Sequence, residues 1–238
     1  MSGVWLILPT YNEAENIERI VAAALPRLEE TGLEHRVLVV DDGSPDGTGE
    51  IADRLASENP AVEVLHRTSK DGIGPAYLAG FCHALSGGAD LLMEMDSDFS
   101  HDPVDIPRLV AAADRADLVL GSRYVPGGGV EDWGLLRRFV SRGGSLYAKL
   151  ILGLPVNDLT GGFKCFRRAV LERLDLHAVD ADGYGFQIEM TYRTIKAGFR
   201  VEEVPIIFRD RRAGTSKMSA KIAVEAFWKV PLLRFRVR

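Results

Sequence analysis

Apolar runs of four or five residues alternate with amphipathic stretches along the first half of this chain, the pattern of buried strands separated by helices. Val4-Trp5-Leu6-Ile7-Leu8 reads as a strand without a polar face, and Pro9-Thr10-Tyr11-Asn12-Glu13 leads from it into a helix carrying Ile17, Ile20, Val21, Ala24 and Leu25. Val37-Leu38-Val39-Val40 repeats the strand, and the turn-rich segment Asp41 to Thr48 opens a helix through Ile51, Ala52 and Leu55. Val62 to Leu65, a helix from Gly74 to Leu85, Leu91 to Met95, a helix after Pro103 and Leu118 to Leu120 continue the alternation. Strands apolar on both faces and joined by helices predict an α/β domain, a mostly parallel sheet wrapped by helices.

From Gly121 the regularity fails. A loop at Pro126-Gly127-Gly128-Gly129 precedes a long amphipathic helix predicted over Trp133 to Leu154. The turn Thr160-Gly161-Gly162-Phe163 leads into Lys164-Cys165-Phe166, then a short helix, a helix from Gly185 to Ala197, a strand from Val201 to Phe208 and a last helix from Ser219 to Val230. The interruption reads as functional apparatus inserted into a regular frame. A catalytic domain is expected over residues 1–218, with a basic amphipathic segment over 219–238.

A chain of 238 residues with 46% hydrophobic content suits one large domain. The net charge of −5 argues against nucleic-acid binding, but the sign reverses after Phe208, where Asp210 and Glu225 alone oppose nine Arg and Lys. Cys82 and Cys165 have no metal-ligand spacing and lie in apolar stretches, so both are expected to be buried free thiols in a reducing cytoplasm. With a strand beginning at Val4, no secretory leader is expected, and no segment is apolar for long enough to span a bilayer.

The candidate chemistry lies at strand ends. Asp96-Ser97-Asp98 follows Leu91-Leu92-Met93-Glu94-Met95 directly and precedes the helix start Ser100-His101-Asp102-Pro103. Carboxylates at the carboxyl end of a buried strand stand where open α/β sheets bind ligands, and hard oxygen ligands suit Mg²⁺ or Mn²⁺ carrying phosphates. Asp41 and Asp42 end a second strand. There a carboxylate accepting hydrogen bonds from a base or ribose and ordinary turn chemistry explain the residues equally well.

Leu8-Pro9-Thr10-Tyr11-Asn12-Glu13, Val40-Asp41-Asp42-Gly43-Ser44, Met95-Asp96-Ser97-Asp98 and Gly121-Ser122-Arg123-Tyr124 resemble, in order and spacing, the motifs of family 2 glycosyltransferases with the Rossmann-like GT-A fold. Gly127 to Trp133, Asp158 to Phe163, Gly183 to Met190 and Arg209 to Lys217 are similar to segments of dolichol-phosphate mannose synthases. The resemblance implies inverting transfer of mannose from GDP-mannose to dolichyl or another polyprenyl phosphate. It places Pro9, Tyr11, Glu13, Val39 and Asp41 around the nucleoside, and Asp96, Ser97 and Asp98 at the metal and diphosphate. Ser100 stands where the family often has a longer amide, so a weaker or water-mediated metal contact is expected there. Arg123, Arg137 and Ser141 match the acceptor-phosphate positions, with Arg138 and Arg142 beside them, since guanidinium forks grip phosphate. Arg211 and Lys217 match cations on a loop closing over the donor, and Gln187 and Glu189 fall on a helix near the site.

A phosphate monoester acceptor is largely dianionic at neutral pH, so no catalytic base is expected; the work is bringing two anions together and neutralising them with Arg123, Arg137, Arg211, Lys217 and a metal held by Asp96 and Asp98. The acceptor's tail implies a membrane surface, on its cytoplasmic face. The apolar and basic residues interleaved from Trp133 to Leu152 suit an interfacial helix, and the C-terminal segment suits anionic lipid or a membrane-anchoring protein partner. Core packing explains both stretches equally well. The nearest alternative is a polyprenyl-phosphate glucosyltransferase using UDP-glucose. A processive synthase lacks its Q-x-x-R-W segment here, and a dinucleotide oxidoreductase is disfavoured by Tyr77 in place of a third glycine. A non-catalytic nucleotide-binding module shares the binding residues and is separated only by turnover.

Overall fold

The structure, a computed structural model, describes residues 3–131, 133–179, 183–210 and 220–237. In chain order its elements are β1 (Val4–Thr10), α1 (Ile17–Glu29), β2 (His35–Asp41), α2 (Thr48–Glu58), β3 (Val62–His66), α3 (Ile73–Ser86), β4 (Leu91–Glu94), α4 (Ile106–Ala112) and β5 (Leu118–Ser122). There follow β6 (Gly129–Val130), α5 (Leu135–Leu152), β7 (Lys164–Arg167), α6 (Arg168–Arg173), α7 (Gly183–Lys196), β8 (Val201–Pro205), β9 (Ile207–Phe208) and α8 (Ala220–Arg236). The expected mostly parallel sheet flanked by helices is present, in the order β3-β2-β1-β4-β7-β5-β8.

Alternate residues of each central strand feed opposite faces. Trp5 and Ile7 pack with Leu38, Tyr77, Phe81 and Phe186 on the side of α3 and α7. Leu6 and Leu8 pack with Ile17, Ile20, Val37 and Leu109 on the side of α1 and α4. Burial on both faces is why these strands read as unbroken apolar runs.

The strand order reverses at β1, which pairs in parallel with β2 on one side and β4 on the other. At such a switch point the loops leaving neighbouring strands diverge and open a crevice beyond the carboxyl ends. β7 is the exception to parallel order, running antiparallel to both β4 and β5. Its amino-terminal end therefore lies at the crevice, and the irregular segment 153–163 that precedes it becomes a wall of the site.

Three expectations are corrected. The strand expected over Val201 to Phe208 is split: β8 pairs with β5, whereas β9 pairs with β6 in a separate two-stranded sheet. Pro205 has no N–H to continue a ladder; Ile206 N–H still donates to the Ser122 carbonyl at the end of β5, and the Ile206 and Phe208 carbonyls accept from Gly129 and Glu131 beyond it. The last helix does not stop at Val230 but runs through Pro231 to Arg236, with Val230, Leu233 and Val237 buried. Cys82 is exposed, whereas Cys165 is buried and its thiol is pushed up to about 12 by desolvation.

Candidate active site

A cavity of about 420 Å³ occupies the crevice. Pro9, Tyr11 and Glu13 border it after β1, Asp42 after β2, Lys70, Gly72 and Ile73 before and into α3, and Asp96, Ser97, Asp98, Ser100 and His101 after β4. Arg123, Trp133, Arg137, the Thr160–Gly162 turn, Tyr184, Gln187 and Phe208 close the opposite side. Ten of the residues singled out from the sequence thus line one cavity: Pro9, Tyr11, Glu13, Asp96, Ser97, Asp98, Ser100, Arg123, Arg137 and Gln187.

Val39 and Asp41 do not line that cavity. Val39 is wholly buried in the core. Asp41 accepts from Ser44 N–H at 3.2 Å and Ser44 Oγ at 2.5 Å, with Thr10 Oγ1 at 3.4 Å, so its carboxylate holds the turn after β2. Asp42 borders the cavity instead; burial raises its carboxyl above the ordinary value against the opposing pull of Arg67. Lys70 Nζ stands 4.0 Å from the centre of the Tyr11 ring, a cationic and aromatic pair at the β1 and α3 side. Arg211 and Lys217 lie outside the described residues.

Asp96 and Asp98 extend from the same strand end. Asp98 Oδ1 accepts from Ser100 N–H at 3.0 Å, and Tyr77 Oη donates to Asp96 Oδ1 at 3.4 Å. The backbone N–H of Asp96 donates to His101 Nδ1 at 3.2 Å, which leaves the ring proton on Nε2. Burial pulls the His101 pKa well down, so the ring is a neutral prop for the turn. Among the described residues no group of three or more His, Cys, Asp or Glu could enclose a cation. Two carboxylates in a cavity nonetheless fit Mg²⁺ or Mn²⁺, which bind through one or two protein carboxylates and complete their shell with substrate phosphate and water.

Arg123 forms the opposite pole. It is 5% exposed, and its Nε and Nη2 donate to Asp158 Oδ2 and Oδ1, both at 2.7 Å, with Nη2 also 2.8 Å from Thr160 Oγ1. Desolvation opposes both charges, but their mutual attraction wins, so the Asp158 carboxyl is held below the ordinary range and Arg123 stays cationic. The guanidinium lies near the Trp133 and Phe208 rings, 5.7 and 5.4 Å from their centroids. Gly128 makes this packing possible: a Cβ there would lie 2.4 Å from the Ser122 carbonyl oxygen.

Arg137, on α5, sits 4.2 Å from the Trp133 ring centroid and donates to Asp210 Oδ2 at 2.9 Å. One turn later, Ser141 Oγ accepts from Tyr124 Oη at 2.7 Å. Arg137 and Ser141 both border a second cavity of about 370 Å³, lined also by Val140, Tyr147, Ile188 and Val230. Trp133, Arg137, Thr160 and Tyr184 belong to both cavities, so cationic and apolar ground meet there.

A sequence profile described as Glycosyl transferase family 2 matches residues 5–175. The chain belongs to that family. An undecaprenyl-phosphate mannosyltransferase of Micrococcus luteus is 51% identical over 223 residues, covering 94% of this chain and 90% of the relative. A polyprenol monophosphomannose synthase of Mycolicibacterium smegmatis is 50% identical over 227 residues, covering 94% and 84%. Among solved structures, glucosyl-3-phosphoglycerate synthase of Mycobacterium tuberculosis, in complex with Mn²⁺, uridine diphosphate and glucosyl-3-phosphoglycerate, superposes with a TM-score of 0.72 at 22% identity, covering all of this chain and 81% of that one. That likeness shows the glycosyltransferase fold.

For a family 2 glycosyltransferase, the strand-end carboxylates and the buried arginine face each other across one crevice. Three residues of this arrangement carried no role in the sequence reading: Asp158, His101 and Tyr77. Asp158 stood in a recognisable segment, but nothing in its spacing pointed to Arg123, 35 residues earlier. In the sequence Tyr77 signals only the absence of a third glycine, yet its hydroxyl reaches Asp96 from α3. Glu189 is paired with Arg193 one helical turn on, at 2.7 Å, which leaves it a structural acceptor in α7.

Proposed function

We propose that this glycosyltransferase moves mannose from GDP-mannose to the phosphate of a polyprenol at a membrane surface, with inversion at the sugar. The names of both curated relatives give mannose and a polyprenyl phosphate as what they join. The observation that carries the reading is the shared cavity: Asp96 and Asp98 on one wall, Arg123 and Arg137 on the other, and an apolar cavity opening beyond Arg137. Such a site holds two phosphorylated groups side by side and offers one of them a place for a hydrocarbon tail.

The acceptor phosphate arrives ionised, because its second pKa is near 6. Its oxygen attacks the anomeric carbon as the bond to the GDP oxygen breaks, which turns an α-linked donor into a β-mannosyl phosphate. No proton need be removed from the nucleophile. The protein holds two mutually repelling anions together, with Arg123 and Arg137 on the acceptor and Tyr11, Glu13 and Gln187 bordering the donor. Arg211 and Lys217, outside the described residues, are assigned to the donor diphosphate as its cationic partners. Asp96 and Asp98 would hold Mg²⁺ or Mn²⁺, which would supply Lewis-acid stabilisation of the departing diphosphate when bound.

The proposed membrane face is built from α5 and α8, which pack against each other. Phe139, Val140, Leu146 and Leu150 on α5 and Trp228, Leu232 and Phe235 on α8 are exposed. Arg138, Arg142, Arg234 and Arg236 are exposed on the same two helices, a pattern suited to anionic headgroups. Among the described residues no helix is long and apolar enough to cross a membrane.

The test is donor competition. Purified protein with polyprenyl phosphate, Mg²⁺ or Mn²⁺ and equal GDP-mannose and UDP-glucose is expected to yield mannosyl lipid and GDP. Glucosyl lipid as the main product would replace the donor assignment, and the absence of any glycolipid would overturn the reading.

A further inference from the structure

Arg123 is buried, and Asp158, the partner that aims its guanidinium, stands on a loop. Asp158 lies in the irregular segment 153–163, with no strand ladder to hold it. What fastens it is a single carboxylate on β8. Glu203 Oε1 accepts from Ser122 Oγ at 2.7 Å and from Asp158 N–H at 3.0 Å. Glu203 Oε2 accepts from both Asn157 N–H and Asn157 Nδ2, each at 2.9 Å. The four donors come from the residue before Arg123 and from the two loop residues at and before its partner, so one rigid strand fixes both ends of the Arg123–Asp158 pair.

We propose that Glu203 is a positioning residue for the acceptor-phosphate grip of Arg123, acting through Ser122 and Asp158. The proposal rests on the reading of Arg123 as an acceptor-phosphate ligand. β8 pairs with β5 in parallel, with Glu203 opposite Leu120, so the carboxylate is anchored in the sheet two residues from the end of β5. Asp158 uses Oδ2 for Arg123 N–H and Nε and Oδ1 for Nη2. Among the described residues no hydrogen bond uses Nη1, which leaves it as the edge for a ligand. The same hub reaches α5, because Lys149 Nζ donates to Asn157 Oδ1 at 2.7 Å. The helix carrying Arg137 and Ser141 is thereby tied to the loop that aims Arg123, and the groups assigned to the acceptor phosphate share one brace. Displacing a positioned group by about 1 Å is enough to cost about 10²-fold in rate.

The test is steady-state kinetics of Glu203→Gln and Ser122→Ala with each substrate varied in turn. Glu203→Gln keeps the shape but offers an amide N–H where two donors need an acceptor. Its kcat/KM for polyprenyl phosphate is expected to fall by about 10- to 100-fold, with the KM for GDP-mannose and the affinity for Mn²⁺-GDP within twofold of wild type. Ser122→Ala removes one of the four bonds and should show the same pattern at smaller amplitude, which keeps the test readable if Glu203→Gln folds poorly. In an Arg123→Ala background, Glu203→Gln should cost less in the acceptor KM than it does in wild type, the remainder passing through Asn157 and Lys149 to α5. Unchanged acceptor kinetics in both variants, or an equal loss for both substrates that tracks a lowered Tm, would overturn the proposal. If wild-type protein makes no mannosyl lipid but uses another sugar nucleotide, the donor assignment fails, and the same comparison is made with the donor it uses.

Discussion

Arg123 and Asp158 show how one residue pair sets the chemistry of the site. A buried guanidinium paired by a fork of two hydrogen bonds keeps its charge without solvent, and replacing Arg by Lys removes the fork while keeping the charge. Arg123→Lys should therefore lower kcat/KM for polyprenyl phosphate by about 10²-fold while leaving Mn²⁺-GDP affinity unchanged in a calorimetric titration. The pair also has a pH signature. The folded Asp158 carboxyl is held below its unfolded value of about 3.9, so its stabilisation is present above that pH and is lost as pH falls through the folded value. The Tm gap between wild type and Asp158→Asn is expected to stay constant from about pH 8 to 5 and to close only below about pH 4. A gap that shrinks between pH 8 and 6 would mean that another group titrates. Asp98→Asn, in turn, should abolish metal-dependent turnover while leaving the far-UV spectrum unchanged, since its carboxylate borders the cavity rather than the core.

At the scale of elements, β7 decides the architecture of the site. By running antiparallel between β4 and β5 it places Lys164 directly opposite Glu94, two residues before the Asp96 carboxylate. Both side chains are wholly buried, and desolvation pushes the Glu94 carboxyl up and the Lys164 ammonium down. Lys164 Nζ donates to the Gln187 carbonyl at 2.8 Å, so the strand also secures α7 at the point where Gln187 borders the cavity. The two charges attract across the strands without closing an ion pair among the described residues, so removing one raises the cost of burying the other. Lys164→Met alone is expected to cost about 3–5 kcal/mol in urea unfolding, and Glu94→Leu added to it should recover most of that loss. A double variant no better than the single one would show that the two charges do not share an environment. These features were not legible in the sequence: Glu94 and Lys164 sit inside apolar runs 70 residues apart, and neither strand direction nor cross-strand register follows from periodicity. The parallel strands were legible because burial on both faces leaves no polar interruption. The break at Pro205 was not, because an exchange of sheet partner changes no apolar position.

Over the whole molecule, the sheet's carboxyl edge, the two cavities and the exposed face of α5 and α8 form one sequence of environments, from polar and charged to apolar. The helical period made α5 readable as amphipathic, but only packing separates its core side from its outer side: Ala148 and Leu152 are buried, whereas Phe139 and Leu150 are 78% and 71% exposed. Flotation on vesicles containing anionic phospholipid should capture wild-type protein at low salt and release it progressively as salt rises, since surface charges are screened within about 10 Å at 0.1 M. Phe139→Asp together with Phe235→Asp should reduce capture severalfold with Tm unchanged, because neither ring is buried. Equal flotation of the two proteins would assign the face elsewhere.

The amino-acid order alone determined the layered α/β frame, the carboxylates at the ends of β2 and β4 and the amphipathic helices, because burial and periodicity are properties of consecutive residues. The resemblance of its motifs to those of family 2 glycosyltransferases singled out Asp96, Asp98 and Arg123, which the fold brings to one cavity. Only the tertiary structure decided that Asp42 rather than Asp41 borders the cavity, that Asp158 aims Arg123, and that Glu203 braces them both. Those relations join residues 35 or more positions apart across strands and loops. Hydrogen-bond geometry at such separations is settled by register and packing, which no local pattern encodes.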